Sequence, residues 1–94
     1  MMIVWSRRAL RHLVYIRQHI ENDSEQNAAL VASRILEVVD LLQSHPEIGR
    51  PGRVVGTREL VVPQTPYVIP YRVRRERLEL IAVFHGRQKW PLKL

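Results

Sequence analysis

Residues 58–84 read RELVVPQTPYVIPYRVRRERLELIAVF, and this stretch decides the fold. It holds three β-prone runs, Arg58–Val62, Tyr67–Val73 and Leu78–Phe84, rich in branched and aromatic residues. Between them lie only Pro63-Gln64-Thr65-Pro66 and Arg74-Arg75-Glu76-Arg77. Gaps this short join antiparallel neighbours, because a parallel return needs a crossover of roughly a dozen residues or more. Pro70 carries no backbone N–H, so its strand is expected to be an edge or to hold a bulge at that point.

Upstream the periodicity changes from strand to helix. Pro46-Glu47-Ile48-Gly49-Arg50-Pro51-Gly52 is dense in turn formers. Before it, Ala28, Val31, Ile35, Val38 and Leu42 recur at helical spacing, and the helix should stop at His45-Pro46 because the residue before proline avoids the α region. Asp23 with Gln26 predicts a capping box at its start. An earlier helix carries Ala9, Leu13, Ile16 and Ile20 on one face, with Ser6 as its N-cap. The short break at Asn22-Asp23-Ser24 makes the two helices an antiparallel hairpin. Met2–Trp5 is apolar and β-prone, a short strand in need of a partner. The order is therefore β-α-α-β-β-β, an α+β fold with the helical hairpin packed on one face of a curled antiparallel sheet.

The 94 residues carry 15 Lys and Arg against 9 Asp and Glu, a net charge of +6, and no Cys. The length fits one domain spanning residues 1–94, without disulfides or a thiolate metal site. No apolar run is long enough to span a membrane, and the N-terminus lacks a signal-peptide layout, so a soluble, cytoplasmic protein is expected. Nearly all the basic residues are arginine, with lysine only at 89 and 93, which favours an acidic partner such as nucleic acid or an acidic protein.

Metal and cofactor chemistry find no support. The four histidines are His12, His19, His45 and His85, and the first two lie about 10.5 Å apart along a helix, too far to share an ion. Gly49-Arg50-Pro51-Gly52 lacks the ending of a phosphate-binding loop, and no nucleophile motif is present. What remains is cationic. Arg72 and Arg74 share a strand face, and His85-Gly86-Arg87 closes the sheet beside Trp90. Such a set binds phosphates and stacks on bases, or else it is a solvated, charge-protected sheet edge. A metal-free ribonuclease can be written from it, with His85 as acid or base, Arg87 and Arg72 stabilising charge, and Glu59 as a weaker base.

Trp5-Ser6-x-x-Ala9, His45-Pro46-Glu47-Ile48-Gly49-Arg50, Thr57-Arg58-Glu59-Leu60, Pro66–Val73 and Phe84-His85-Gly86-Arg87-Gln88-Lys89-Trp90-Pro91, taken in order, resemble the RelE/ParE superfamily of bacterial type II toxins. The resemblance implies the fold above and a small toxin neutralised by a cognate antitoxin. It also implies one of two targets, the ribosome with its mRNA for RelE-like nucleases or DNA gyrase for ParE-like members. Arg87 matches an arginine of the nuclease branch and Arg58 matches one of its basic pair. Its other strand arginine falls at Val68, and Glu59 stands where a base belongs. Its C-terminal tyrosine has no counterpart in Pro91-Leu92-Lys93-Leu94. The run from His85 to Pro91 is more similar to ParE. On this basis Arg58, Arg72, Arg74, His85, Arg87 and Trp90 are expected to face the target, with His85, Arg87 and Arg72 catalytic only in a nuclease. The expected antitoxin is acidic and folds on binding, covering Leu10, Val14 and Tyr15 on the first helix.

Overall fold

The computed structural model describes residues 1–91 and 94. Strand β1 (Met2–Trp5) leads into helix α1 (Arg7–Glu21) and helix α2 (Glu25–Leu41). The strands β2 (Arg50–Pro51), β3 (Arg58–Val61), β4 (Tyr67–Arg74), β5 (Arg77–Leu80) and β6 (Phe84–His85) follow.

Ser6 caps α1 as its spacing predicts. Its hydroxyl oxygen accepts the Ala9 N–H at 3.0 Å, and its O–H donates to the Ile81 carbonyl at 2.7 Å. The cap of α2 is Ser24 rather than Asp23, with the Ser24 oxygen accepting the Asn27 N–H at 3.1 Å. Asp23 is still part of the exit from α1, its N–H bonded to the Ile20 carbonyl, which leaves Ser24 as the first extended residue.

The strands form one open mixed sheet in the order β1-β5-β4-β3-β2, with β6 pairing the first part of β4. Two expectations change here. The sheet is not wholly antiparallel, because β1 runs parallel to β5, Met2 opposite Arg77 and Trp5 opposite Leu80. A strand separated from its partner by two helices and three other strands is under no hairpin constraint on direction. The third run, expected to be continuous over Leu78–Phe84, is split into β5 and β6. Tyr71 pairs with Leu80 and Val68 with Phe84, so three steps along β4 face four on the partner, which is a bulge of one residue. Pro70 sits opposite that bulge. Its carbonyl accepts the Ile81 N–H, so its missing donor points into the interrupted ladder while the pairing with β3 runs on undisturbed.

The main core lies between the helices and one sheet face. It joins Ala9, Ile16, Ile35 and Leu42 to Leu60, Ile69, Tyr71, Leu78 and Leu80. A second apolar cluster of Ile81, Ala82 and Phe84 with Trp90 and Leu94 seats the tail. Tyr71 ties the loop after α2 to the sheet, its hydroxyl accepting the Gly49 N–H at 2.9 Å and donating to the Pro46 carbonyl at 2.8 Å.

Candidate functional site

Alternation along β4 sorts the candidate residues onto two faces. Tyr67, Ile69 and Tyr71 belong to the helix-side core, so Val68, Pro70, Arg72 and Arg74 turn to the far face. His85 is opposite Tyr67 in the β4–β6 pairing and therefore shares the helix side with it.

Two of the predicted arginines, Arg58 and Arg72, are already engaged. Arg72 donates from Nε to Glu79 Oε1 at 2.8 Å, across the β4–β5 ladder. Glu59, proposed from sequence as a weak base, is only 3% exposed and gripped from two sides. Arg50 bonds its Oε1, while the Arg53 backbone and side chain bond Oε2 at 2.8 and 3.0 Å. Burial would raise its carboxyl pKa, but the side-chain and backbone bonds from Arg53 and the bond from Arg50 outweigh it and hold the pKa below the usual carboxylate value. A carboxylate so held is a structural counter-ion, not a proton acceptor. Arg58 is likewise structural in its contacts, donating from Nη1 to the carbonyls of Glu47 and Gly49. Trp90 packs on Phe84, with ring centroids 4.8 Å apart, and the Arg53 guanidinium carbon lies 3.6 Å from its ring centroid. Arg74, at the β4–β5 hairpin opposite Arg77, and Arg87, just past β6, are exposed and have no ion-pair partner among the described residues.

The helix side holds a cleft of about 350 Å³ between α1 and the β4–β6 corner, lined by His12, Tyr15, Ile16, His19, Tyr67, Val83, Phe84, His85 and Gln88. Here His85 stands with its ring edge-on to Tyr67 at 6.0 Å. Its Nδ1 accepts the Arg87 N–H at 3.1 Å, and its own N–H donates to Gln88 Oε1 at 2.7 Å. His12 Nδ1 accepts the Val83 N–H at 3.1 Å. Burial, and then the nearby charges of Arg8 and Arg11, hold the His12 pKa below the ordinary imidazole value. His12 is therefore neutral at pH 7, with its proton on Nε2. Tyr15 and His19 lie nearly parallel, 8° between planes and 6.0 Å between centroids.

The structure thus brings the Arg87 backbone to His85, and sets Arg72 on the other side of the sheet from His85. His12, Tyr15, His19 and Tyr67 were not singled out together from sequence. The signal was present, since positions 12, 15, 16 and 19 fall on one side of α1. What sequence could not supply was the register that sets β6 beside it. The three residues expected to meet an antitoxin are all exposed on α1, Leu10 at 48%, Val14 at 54% and Tyr15 at 67%. Among the described residues, no group of three or more potential ligands is placed to hold a metal ion, and no helix is long and apolar enough to cross a membrane.

Comparison with known proteins agrees with this architecture. Residues 3–90 match the family described as the ParE toxin of the type II toxin-antitoxin system parDE. Y4kP of Sinorhizobium fredii, a relative described as a toxin, is 48% identical over 89 residues, covering 95% of this chain and 92% of its own length. Toxin RelE2 of Caulobacter vibrioides is 35% identical over 84 residues, covering 89% of this chain and 93% of its own. A solved structure of the chromosomal ParDE toxin-antitoxin system from P. aeruginosa superposes with a TM-score of 0.82 at 27% identity, covering 90% of this chain and 95% of that one.

Proposed function

This chain belongs to the RelE/ParE superfamily of type II toxins, and we propose that it is a single toxin domain that arrests growth by binding and poisoning DNA gyrase. The observation that carries this choice over RNA cleavage is the dispersal of the would-be nuclease groups. Val68 stands where the resemblance puts a catalytic arginine, Arg72 is committed to Glu79, and Glu59 is enclosed by Arg50 and Arg53. His85 and Arg87 alone are two parts of a constellation whose members act together, and such sets lose activity steeply when parts are missing. Target contact then falls to exposed cations such as Arg74 and Arg87 and to the tail around Trp90. Gyrase and ribosomes share the cytoplasm, so that is the compartment in which the toxin would act.

A cognate antitoxin, acidic and folding as it binds, would lay its apolar side along Leu10, Val14 and Tyr15 and neutralise the toxin. The deciding experiment incubates the purified protein in parallel with gyrase plus supercoiled DNA and with translating ribosomes plus a defined message. Cleaved DNA trapped on gyrase with the message intact is the expected result. Codon-linked cuts in the message, lost in His85→Ala and Arg87→Ala, would instead establish the RelE-like activity. Absence of growth arrest on induction, with salt-dependent binding to nucleic acid alone, would reduce the protein to a basic binding module.

A further inference from the structure

One face of α2 is used neither by the core nor by the antitoxin and target surfaces above. Leu30, Arg34, Glu37 and Leu41 recur at i, i+4, i+7 and i+11, which is a single stripe along the helix. Leu30 is 50% exposed and Leu41 54%, while Glu37 is exposed and Arg34 half-buried. Arg34 and Glu37 are in no ion pair among the described residues. We propose that this stripe is a two-fold interface through which two copies of the chain pair α2 against α2 in antiparallel fashion.

The order of the four residues identifies the occupant. Apolar, basic, acidic, apolar becomes apolar, acidic, basic, apolar when reversed, so an inverted copy of the stripe is its electrostatic complement. In an antiparallel pair centred between Ile35 and Leu36, Leu30 lies opposite Leu41 of the second copy and Arg34 opposite its Glu37. The two-fold axis repeats both contacts. Two charge pairs then flank the axis and two leucine pairs close the ends, over about 16 Å of helix. Beside the stripe, Val38, Leu41 and Pro63 form the apolar part of a shallow cleft of about 340 Å³ that also includes Arg34 and Glu37, a seat for Leu30 of the second copy.

Burying the leucines supplies the attraction, and the charges set the register. Sliding one copy by three residues puts Arg34 on the axis facing Arg34, or Glu37 facing Glu37, according to direction. A parallel pair in register does both. Like charges so placed repel, which leaves the single antiparallel register. The stripe carries one charge of each sign, so it offers no net pull on nucleic acid or on an acidic antitoxin. A second copy is the occupant whose charges match it in number and place. Four residues a side is far fewer than the roughly 20–30 of a stable interface, so the dimer is weak and reversible.

Sedimentation equilibrium of the purified protein should show a monomer–dimer equilibrium with a dissociation constant on the order of 10–100 μM. Arg34→Glu and Glu37→Arg should each weaken it by roughly tenfold or more, because each puts like charges opposite one another. Mixing the two variants should restore association, since every reversed charge then faces its opposite, and recovery on mixing shows that both are folded. The chain carrying both reversals should dimerise as the parent does. Leu30→Ser, on the exposed surface, should weaken the dimer about tenfold. A parent chain that stays monomeric at about 1 mM would overturn the proposal. So would a dimer indifferent to both reversals, or variants that keep parental circular dichroism yet stay apart when mixed. Loss of the dimer in Leu10→Ser and Val14→Ser, with the reversals silent, would move the contact to α1 and overturn it too. The gyrase assay reads a different event, so either result can fail while the other stands.

Discussion

Tyr71 and Gly49 hold the loop after α2 against the sheet by a contact that leaves no space between them. A Cβ on Gly49 would lie 2.5 Å from Tyr71 Cε1, which is impossible without displacing a ring packed in the core. Gly49→Ala should therefore destabilise the protein by about 1–3 kcal/mol through overpacking. Tyr71→Phe should cost a similar amount, about 1–3 kcal/mol, because it strands the Gly49 N–H. Denaturant melts of the two variants check both. Glu59 and His12 govern the acid limit. Glu59 has its folded pKa below the unfolded one, so its contribution is present above the unfolded value and is lost as pH falls through the folded value. His12 also has a lowered folded pKa, so below the ordinary 6.5 the unfolded chain takes up a proton that the folded chain resists. The melting temperature should first decline below about pH 6.5 and again as Glu59 protonates; Glu59→Gln should cost about 1–2 kcal/mol at pH 7 and flatten the second decline. Of these residues the sequence marked Glu59, but as a base. Its burial depends on Arg50 and Arg53 folding back over β3, a tertiary event with no local signature.

At the scale of elements, Ser6 has two tasks, closing the first turn of α1 and joining that helix to the strand end at Ile81. Ser6→Ala should lower stability by about 1–2 kcal/mol, while Ser6→Asp, which keeps the acceptor and loses the donor, should recover part of it. Thermal melts of the pair separate the two contributions. Both helices and all three β-rich runs were legible because each carries its own period, and Pro70 announced the irregularity beside it. The sequence could not reveal that the irregularity belongs to the partner strand, with β5 ending at Leu80 and β6 resuming at Phe84. Nor could it reveal the parallel partner of β1, because direction between distant strands is set by packing, not by turn length. The cleft inherits this limit. The α1 residues that line it are spaced visibly, but Tyr67 and His85 join them only through the β4–β6 register.

For the whole molecule, a net charge of +6 acts at a distance. Encounter with an acidic antitoxin should be fast at low salt, and its association rate should fall by roughly tenfold or more between 50 and 500 mM NaCl while dissociation changes little. Stopped-flow mixing with the cognate antitoxin measures this. The charge is unevenly available, since Arg50, Arg53 and Arg72 pair with acids on the sheet and Arg58 with loop carbonyls, whereas Arg74 and Arg87 are open. Composition alone reads all of these as one basic total.

The parallel seam between β1 and β5 has a further consequence for how the chain is born. Met2 emerges from the ribosome long before Arg77, its neighbour across that seam, and translation at 5–20 residues per second separates them by roughly 4–15 s. Until then the first strand has no edge to dock on, and Ser6 has no Ile81 carbonyl to grip. Each new copy therefore holds α1 complete before its sheet can close around β5, so whatever partner reads that helix alone can meet it seconds before the finished fold exists.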